Sequence, residues 1–365
     1  MNAWSDADYR YMAHALQLAE RGLYTTAPNP RVGCVIVNND QIVGQGWHQR
    51  AGEAHAEVFA LQAAGEQARG ATVYVTLEPC SHFGRTPPCA DTLIRAGIAR
   101  VVVAMQDPNP QVAGNGLARL LAAGIATSSG LLATQASELN RGFIQRMTYN
   151  RPWVTIKTAS SLDGKTALSS GESKWITGAP ARLDVHKLRA RSCAILTGIG
   201  TVLADDPKLN VRDIATTRQP LKIIVDTHLR TPIHATILQQ SGTIIAHNCT
   251  DLAKQSALIV AGAELLHISH TPQQVHLPSL MTLLAQRGIN EIMTEAGATL
   301  NAALIEADLV DTWVMYMAST LLGQDARGLF NLPQPTSMAA RRQLNITDTR
   351  LIGRDLRITS HFTKD

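Results

Sequence analysis

The sequence predicts an α/β protein of two domains. Three observations carry this. A chain of 365 residues exceeds the size at which a single hydrophobic core usually keeps growing. After residue 150 the strand-like runs WVTIKTA, CAILTG, LKIIVDT, GTIIAH, ALIVA, EIMTEAG and WVMYMA alternate with helical stretches such as PARLDVHKLRAR and LPSLMTLLAQRG. That alternation favours a largely parallel sheet. The texture also changes at MTYNRPWVTIK, where Arg151-Pro152 interrupts, so a boundary is expected near residue 148, with domains at 1–148 and 149–365.

Composition narrows the class. The chain is 45% hydrophobic and 17% charged, as expected of a globular protein with substantial cores. A formal net charge of +4 is too slight to argue for nucleic acid. Five cysteines, an odd number in a long chain, argue against a disulfide framework. The first residues, MNAWSDADYRYMAHALQLAERG, mix acids, bases and apolar residues at helical spacing and lack a signal-peptide core. No run approaches the roughly 18 apolar residues of a membrane span. The expectation is a cytoplasmic protein with reduced thiols and no membrane or nucleic-acid partner.

The stretch PCSHFGRTPPC, residues 79–89, sets Cys80 and Cys89 about a loop with Gly84, Pro87 and Pro88, which cannot continue a helix. On these residues alone, disulfide, metal site and coincidence are all open. Upstream, GEAHAEVFALQAAGEQARG reads as a helix opened by His55 and Glu57. Residues two apart point about 200° apart on a regular helix, so both serve one site most easily at a helix start. ATVYVTLEP reads as a strand leading to Cys80, and Cys89 begins the helical ADTLIRAG. One imidazole and two thiolates would hold zinc and leave a fourth position for water, the mark of a catalytic rather than a structural site. Glu57, not a ligand, is placed to shuttle a proton. His-x-Glu followed by Pro-Cys and a second cysteine is the arrangement of zinc-dependent base deaminases. That signature has two residues between its cysteines; this chain has eight.

TTAPNPRVGCVIV, HAEVFAL, VTLEPCSHFGRTPPCADTLI and AMQDPNPQVAGNGL resemble the bifunctional pyrimidine deaminase/reductase family of riboflavin biosynthesis, whose variant motif has the longer spacing. The resemblance implies a cytidine-deaminase-like first domain, a mixed sheet flanked by helices. It implies zinc on His55, Cys80 and Cys89 with Glu57 as proton shuttle. It places Asn29 against the substrate, His48 near the substrate phosphate and His82 in the same pocket.

The second half has neither a GxGxxG turn nor a Walker loop. TGIGTVLADDP and TEAGATLNAALIEAD are glycine turns between strand and helix, where exposed N–H groups favour phosphate, though such turns are common. KTASSLDGKTAL, GESKWITG, ILTGIGTVLADDPKLNVR and EAGATLNAALI resemble the reductase half of the same family. That half is dihydrofolate-reductase-like and binds NADPH without GxGxxG. The resemblance implies cofactor contacts at Ala159, Trp175, Thr201, Asp205, Thr227 and the segment Gly297, Ala298, Thr299, Leu300, Asn301, Ala302 and Ala303. It implies substrate contacts at Ser173, Arg189, Leu209, Arg212 and Glu295, and Lys157 is apt as a charge near the reacting sugar. The substrate would be a phosphorylated pyrimidine, and the reductase half would form a homodimer.

Two other readings compete. A nucleic-acid deaminase would want a basic stripe and stacking aromatics, but aromatics are 4% and positive charge is dispersed. A zinc scaffold would want a fourth protein ligand, for which His82 is the near choice.

Overall fold

A computed structural model of the chain describes residues 4–81, 87–110, 112–269 and 274–363. The chain divides into two compact units, Met1–Asn150 and Arg151–Asp365.

The first unit runs α1 (Asp6–Glu20), β1 (Gly33–Asn38), β2 (Gln41–Trp47), α2 (Ala56–Ala64), β3 (Thr72–Val75), α3 (Cys89–Arg95), β4 (Arg100–Val103), α4 (Asn115–Ala122), β5 (Ala126–Ser129), α5 (Ala133–Leu139) and α6 (Arg141–Tyr149). Its sheet has the order β2-β1-β3-β4-β5. β1 is antiparallel to β2 and β3, whereas β3, β4 and β5 are parallel. Alternation decides the layers. Cys34, Ile36, Val73, Val75, Val101 and Val103 pack with Ala56, Ala60 and Leu93 on one face. Val35, Val37, Tyr74 and Val102 pack with Met12, Leu16 and Ala136 on the other. Each fully buried aliphatic side chain contributes about 1.5–3 kcal/mol. Ser5 and Asp8 form a capping box that starts α1. Asp8 also accepts from Tyr74 Oη at 2.7 Å and Arg100 Nη1 at 2.9 Å, tying the helix to β3 and β4.

The second unit runs β6 (Trp153–Ser161), β7 (Lys165–Ala167), α7 (Ala179–Arg191), β8 (Ala194–Gly198), α8 (Ile199–Asp205), β9 (Leu221–Val225), β10 (Thr243–His247), α9 (Leu252–Val260), β11 (Ala263–His267), α10 (Leu277–Gln286), β12 (Glu291–Thr294), α11 (Ala298–Glu306), β13 (Thr312–Ala318), β14 (Arg327–Gly328), β15 (Leu344–Ile352) and β16 (Asp355–Phe362). Its nine-stranded sheet has the order β11-β10-β9-β8-β12-β6-β13-β16-β15. The pairs from β11 through β13 are parallel; β16 runs antiparallel to β13 and β15. The chain leaves β6, builds β8 to β11 outward, then returns to insert β12 between β8 and β6. Such reversals create the crevices at carboxyl strand ends where open α/β sheets bind ligands.

One expected strand is a helix. ALIVA ends α9, because the Asp251 carboxylate accepts the N–H groups of Ala253 and Lys254 and starts a helix there. Within the run only Leu258 is buried; Ile259 and Val260 face outward. The parallel strand is β11, which follows.

Candidate functional site

In the first unit, three segments converge. His55 is the N-cap of α2, with extended backbone, so its ring projects from the helix start. Cys80 follows β3 after a short connection, and Cys89 opens α3. His55 Nδ1, Cys80 Sγ and Cys89 Sγ all lie within 4.8 Å of one another. His55 Nδ1 is 3.2 Å from Cys89 Sγ and 3.6 Å from Cys80 Sγ. A tetrahedral zinc with bonds of about 2.0–2.3 Å separates neighbouring ligand atoms by about 3.5 Å, so the trio fits that ion. Among the described residues no further His, Cys, Asp or Glu joins this group. His82 lies outside the described residues.

The electrostatics suit a soft metal. Hydrogen bonding from Cys89 holds the Cys80 thiol down to about 4, against a burial effect that raises it. Its hydrogen bond to Cys80 raises His55 to about 9. Cys89 is pushed up, first by giving that bond and then by burial. Thiolate character thus concentrates on Cys80, and thiolate is the metal-binding form. Glu57 is 3% exposed. Burial raises its carboxyl pKa, the His55 charge opposes this, and Cys89 hydrogen-bonds to it.

Asn29 and His48 form a second layer. His48 Nδ1 lies 3.0 Å from Ala54 O, so that nitrogen donates, and Nε2 accepts from Asn29 Nδ2 at 3.1 Å. Burial lowers the His48 pKa. Its ring meets that of His55 edge to face, with centroids 5.7 Å apart. His48, expected beside a phosphate, is thus a buried neutral imidazole whose two nitrogens are taken by Ala54 and Asn29.

In the second unit, Glu295 follows β12. Its N–H donates to Leu196 O at 2.9 Å, and its carbonyl accepts from Thr197 Oγ1 at 2.8 Å, which locks it to the end of β8. Arg189 on α7 meets its carboxylate through Nε and Nη2, the latter at 3.0 Å, while Nη1 donates to Asn210 O at 2.9 Å. Lys157 Nζ on β6 is 3.5 Å from Glu295 Oε2. Burial alone would raise the Glu295 carboxyl; Arg189 and then Lys157 outweigh it and hold the pKa down to about 2. Arg189 therefore spends three donors on the protein. Arg212 is half exposed, and its N–H donates to His186 Nδ1 at 3.2 Å. Leu209 is buried with a φ of +46° in the same loop. Ser173 is half-buried ahead of α7.

The expected cofactor positions lie along carboxyl strand ends. Thr201 and Asp205 are on α8, Thr227 follows β9 and Ala159 lies on β6. Exposed Trp175 has the Arg182 guanidinium 4.4 Å from its ring centroid. Gly297 starts α11 without a side-chain cap, leaving N–H groups for an anion. Ala298, Thr299, Leu300 and Ala303 are at least partly accessible, whereas Asn301 and Ala302 are buried. Asn301 accepts from Thr294 Oγ1 and donates to Ala296 O, so its side chain holds the strand-to-helix turn together.

Comparison with known proteins identifies the family of each unit. The family model described as "RibD C-terminal domain" matches residues 152–358. That described as "Cytidine and deoxycytidylate deaminase zinc-binding region" matches residues 5–105. The riboflavin biosynthesis protein RibD of Escherichia coli K12 is 51% identical over 362 residues, covering 96% of this chain and 98% of its own. The chain belongs to the RibD family. RibD of Haemophilus influenzae is 46% identical, with 98% of each chain covered. The structure of Acinetobacter baumannii RibD (form 1) superposes with a TM-score of 0.91 at 45% identity, covering 98% of this chain and 99% of that one. A Thermotoga maritima structure titled a diaminohydroxyphosphoribosylaminopyrimidine deaminase/5-amino-6-(5-phosphoribosylamino)uracil reductase has a TM-score of 0.87 at 30% identity, covering 98% and 99%. As a RibD family member the chain is a bifunctional deaminase and reductase of riboflavin biosynthesis, with zinc in the first activity and NADPH in the second. The cytidine-deaminase-like and reductase folds are those expected.

The sequence reading overlooked several residues that organise these sites. His186 and Asn210 bond the expected contacts Arg212 and Arg189, and Glu78 and Arg119 hold the segments that flank Cys80 and Cys89. Glu78 alone carried a signal, a carboxylate at an otherwise apolar strand end before Pro-Cys.

Proposed function

We propose that His55, Cys80 and Cys89 hold the zinc and that Glu57 moves the proton in hydrolytic removal of the 2-amino group from 2,5-diamino-6-ribosylamino-4(3H)-pyrimidinone 5′-phosphate. The observation that carries this is the convergence of three soft ligands beside one buried carboxyl. Zinc held there would lower the pKa of a water molecule toward neutrality, which is the chemistry it would supply. Glu57 accepts a proton from that water and returns it to the departing 2-amino nitrogen, so ammonia leaves and a carbonyl remains. Asn29, oriented by His48, holds the pyrimidine.

The second unit then reduces the ribosyl group of 5-amino-6-(5-phosphoribosylamino)uracil to ribityl. NADPH supplies the hydride. Thr201, Asp205, Thr227, Trp175, Ala159 and the start of α11 position the cofactor. Glu295, kept ionised, fixes the Lys157 ammonium beside the sugar, while Arg212 and Ser173 face the phosphate. The functional division falls near residue 148. The reading also includes a cytoplasmic enzyme, supported by five free cysteines. It includes a two-fold dimer through the reductase unit, supported by β15 at a sheet edge with Ile346 and Leu351 exposed.

The test is to supply the diamino pyrimidinone phosphate with and without NADPH and identify products by mass. The deaminated ribosyl compound is expected alone without NADPH, and the ribityl compound with it. Reduction that precedes deamination would reverse the assigned order.

A further inference from the structure

Helix α4 supplies no residue to the zinc trio, yet it grips the chain on both sides of Cys80 and just after Cys89. Glu78, two residues before Cys80, is 3% exposed. Its Oε1 accepts the N–H groups of Gly116 and Leu117, at 2.8 and 3.2 Å, in the first turn of α4. Its Oε2 accepts those of Gly114 and Asp107, at 2.9 and 3.1 Å. One carboxylate thus takes four backbone donors and fastens the start of α4 to the segment entering Cys80. Gly116 makes this approach possible, since a Cβ there would stand 2.1 Å from Pro79 O. One turn along α4, Arg119 closes the other side. Its Nε and Nη2 meet the Asp91 carboxylate at 2.5 and 2.9 Å, a two-pronged pair, and its Nη1 donates to Ser81 O at 3.3 Å. Asp91 lies two residues after Cys89 on α3, and Ser81 directly follows Cys80.

We propose that Arg119 is a positioning residue for the zinc site: with Glu78 it makes α4 a brace that fixes the separation of Cys80 and Cys89 across their eight-residue connection. This rests on the reading of those cysteines as zinc ligands. Thiolates borne by a loop and a helix start must be brought to a fixed spacing before an ion can bind both, and a pre-set spacing removes that cost from binding. Groups outside the ligand set commonly govern metal affinity in this way. The brace is distinguishable from a stabilising ion pair. Arg119 is 44% exposed, and exposed pairs contribute little to stability. Its removal is therefore expected to change the metal site more than the fold.

The experiment uses full-length zinc-loaded protein carrying Arg119→Gln, with Arg119→Lys as the conservative variant and Leu121→Ser as a control at an exposed position on the same helix. Zinc release to a coloured chelator is timed, absorption bands are recorded after cobalt(II) substitution, and thermal melting is followed. Arg119→Gln is expected to release zinc about 10-fold faster or more. Its cobalt bands shift while the melting temperature and the NADPH-dependent reduction rate stay at wild-type values. Arg119→Lys recovers part of the retention, and Leu121→Ser behaves as wild type. Unchanged release and cobalt bands in Arg119→Gln would overturn the brace, as would equal loss in Leu121→Ser, which would mean that loosening α4 anywhere suffices. Wild-type protein that holds no zinc would instead sink the ligand reading, and the brace with it.

Discussion

Glu57 occupies a site where burial favours the protonated carboxyl and the neighbouring His55 charge favours the ionised one. A group so balanced can take and return a proton in one catalytic cycle. Glu57→Gln keeps the shape and removes the exchangeable proton, so zinc content should stay at wild-type level while deamination falls roughly 10²–10⁴-fold. Metal analysis beside an ammonia-release assay decides it, because loss of zinc would make Glu57 a ligand. Glu295 gives a second prediction. Its folded pKa of about 2 lies below its ordinary 4.5. The stability it contributes is fully present above about pH 4.5 and is lost as pH falls toward 2, up to about 3 kcal/mol. Urea unfolding of the reductase unit across that window should show the loss in wild type and a flatter dependence in Glu295→Gln. Parallel slopes would mean that Arg189 and Lys157 do not set this pKa. The convergence of His55, Cys80 and Cys89 was legible in the sequence, because zinc chemistry restricts residue types and strand and helix ends fix the spacing. The partners of His48 were not, since its two hydrogen bonds depend on Ala54 and Asn29 meeting it in space.

At the scale of elements, α2 lies on β2 at two glycines. A Cβ at Gly44 would stand 2.2 Å from Ala60 O, and one at Gly46 2.7 Å from Ala56 O. Backbone cannot yield as a side-chain tip can. Gly44→Ala should therefore push α2 off the sheet and cost about 1–3 kcal/mol of stability in the first unit. Since α2 begins at His55 and carries Glu57, deamination should fall with it. Denaturant midpoints for the first unit test this, and an unchanged midpoint would show that α2 slides without cost. The elements with a clear apolar pattern were readable: α10 and the apolar parallel strands have a buried face on one side or both. The hairpin β15–β16 was not anticipated. In LNITDTRLI polar residues intervene, and most of the strand is exposed, so no apolar run marks it. ALIVA misled for the opposite reason. An apolar run of five fits a buried strand or a helix end alike, and the Asp251 cap decides between them.

At the scale of the whole molecule, each activity draws its proposed residues from one compact unit. His55, Glu57, Cys80 and Cys89 all precede Asn150, and Lys157, Arg189, Asp205, Thr227 and Glu295 all follow it. No residue is shared between the two sets. Substitutions without common partners usually act independently. Glu57→Gln should thus leave NADPH-dependent reduction of the already deaminated substrate at its wild-type rate. Asp205→Ala should impair that reduction and spare deamination. Asp205 ends α8 with a partly exposed carboxylate 3.7 Å from Lys174 Nζ, so its loss opens no buried cavity and should not unfold the unit. Point variants are better suited than truncations, because a truncation that fails to fold confounds activity with solubility. Each half-reaction is measured separately on each variant, with zinc content and thermal melting as controls. If Glu57→Gln abolished reduction while zinc and fold persisted, the second activity would depend on the first site, and two self-contained catalytic units would no longer describe the chain.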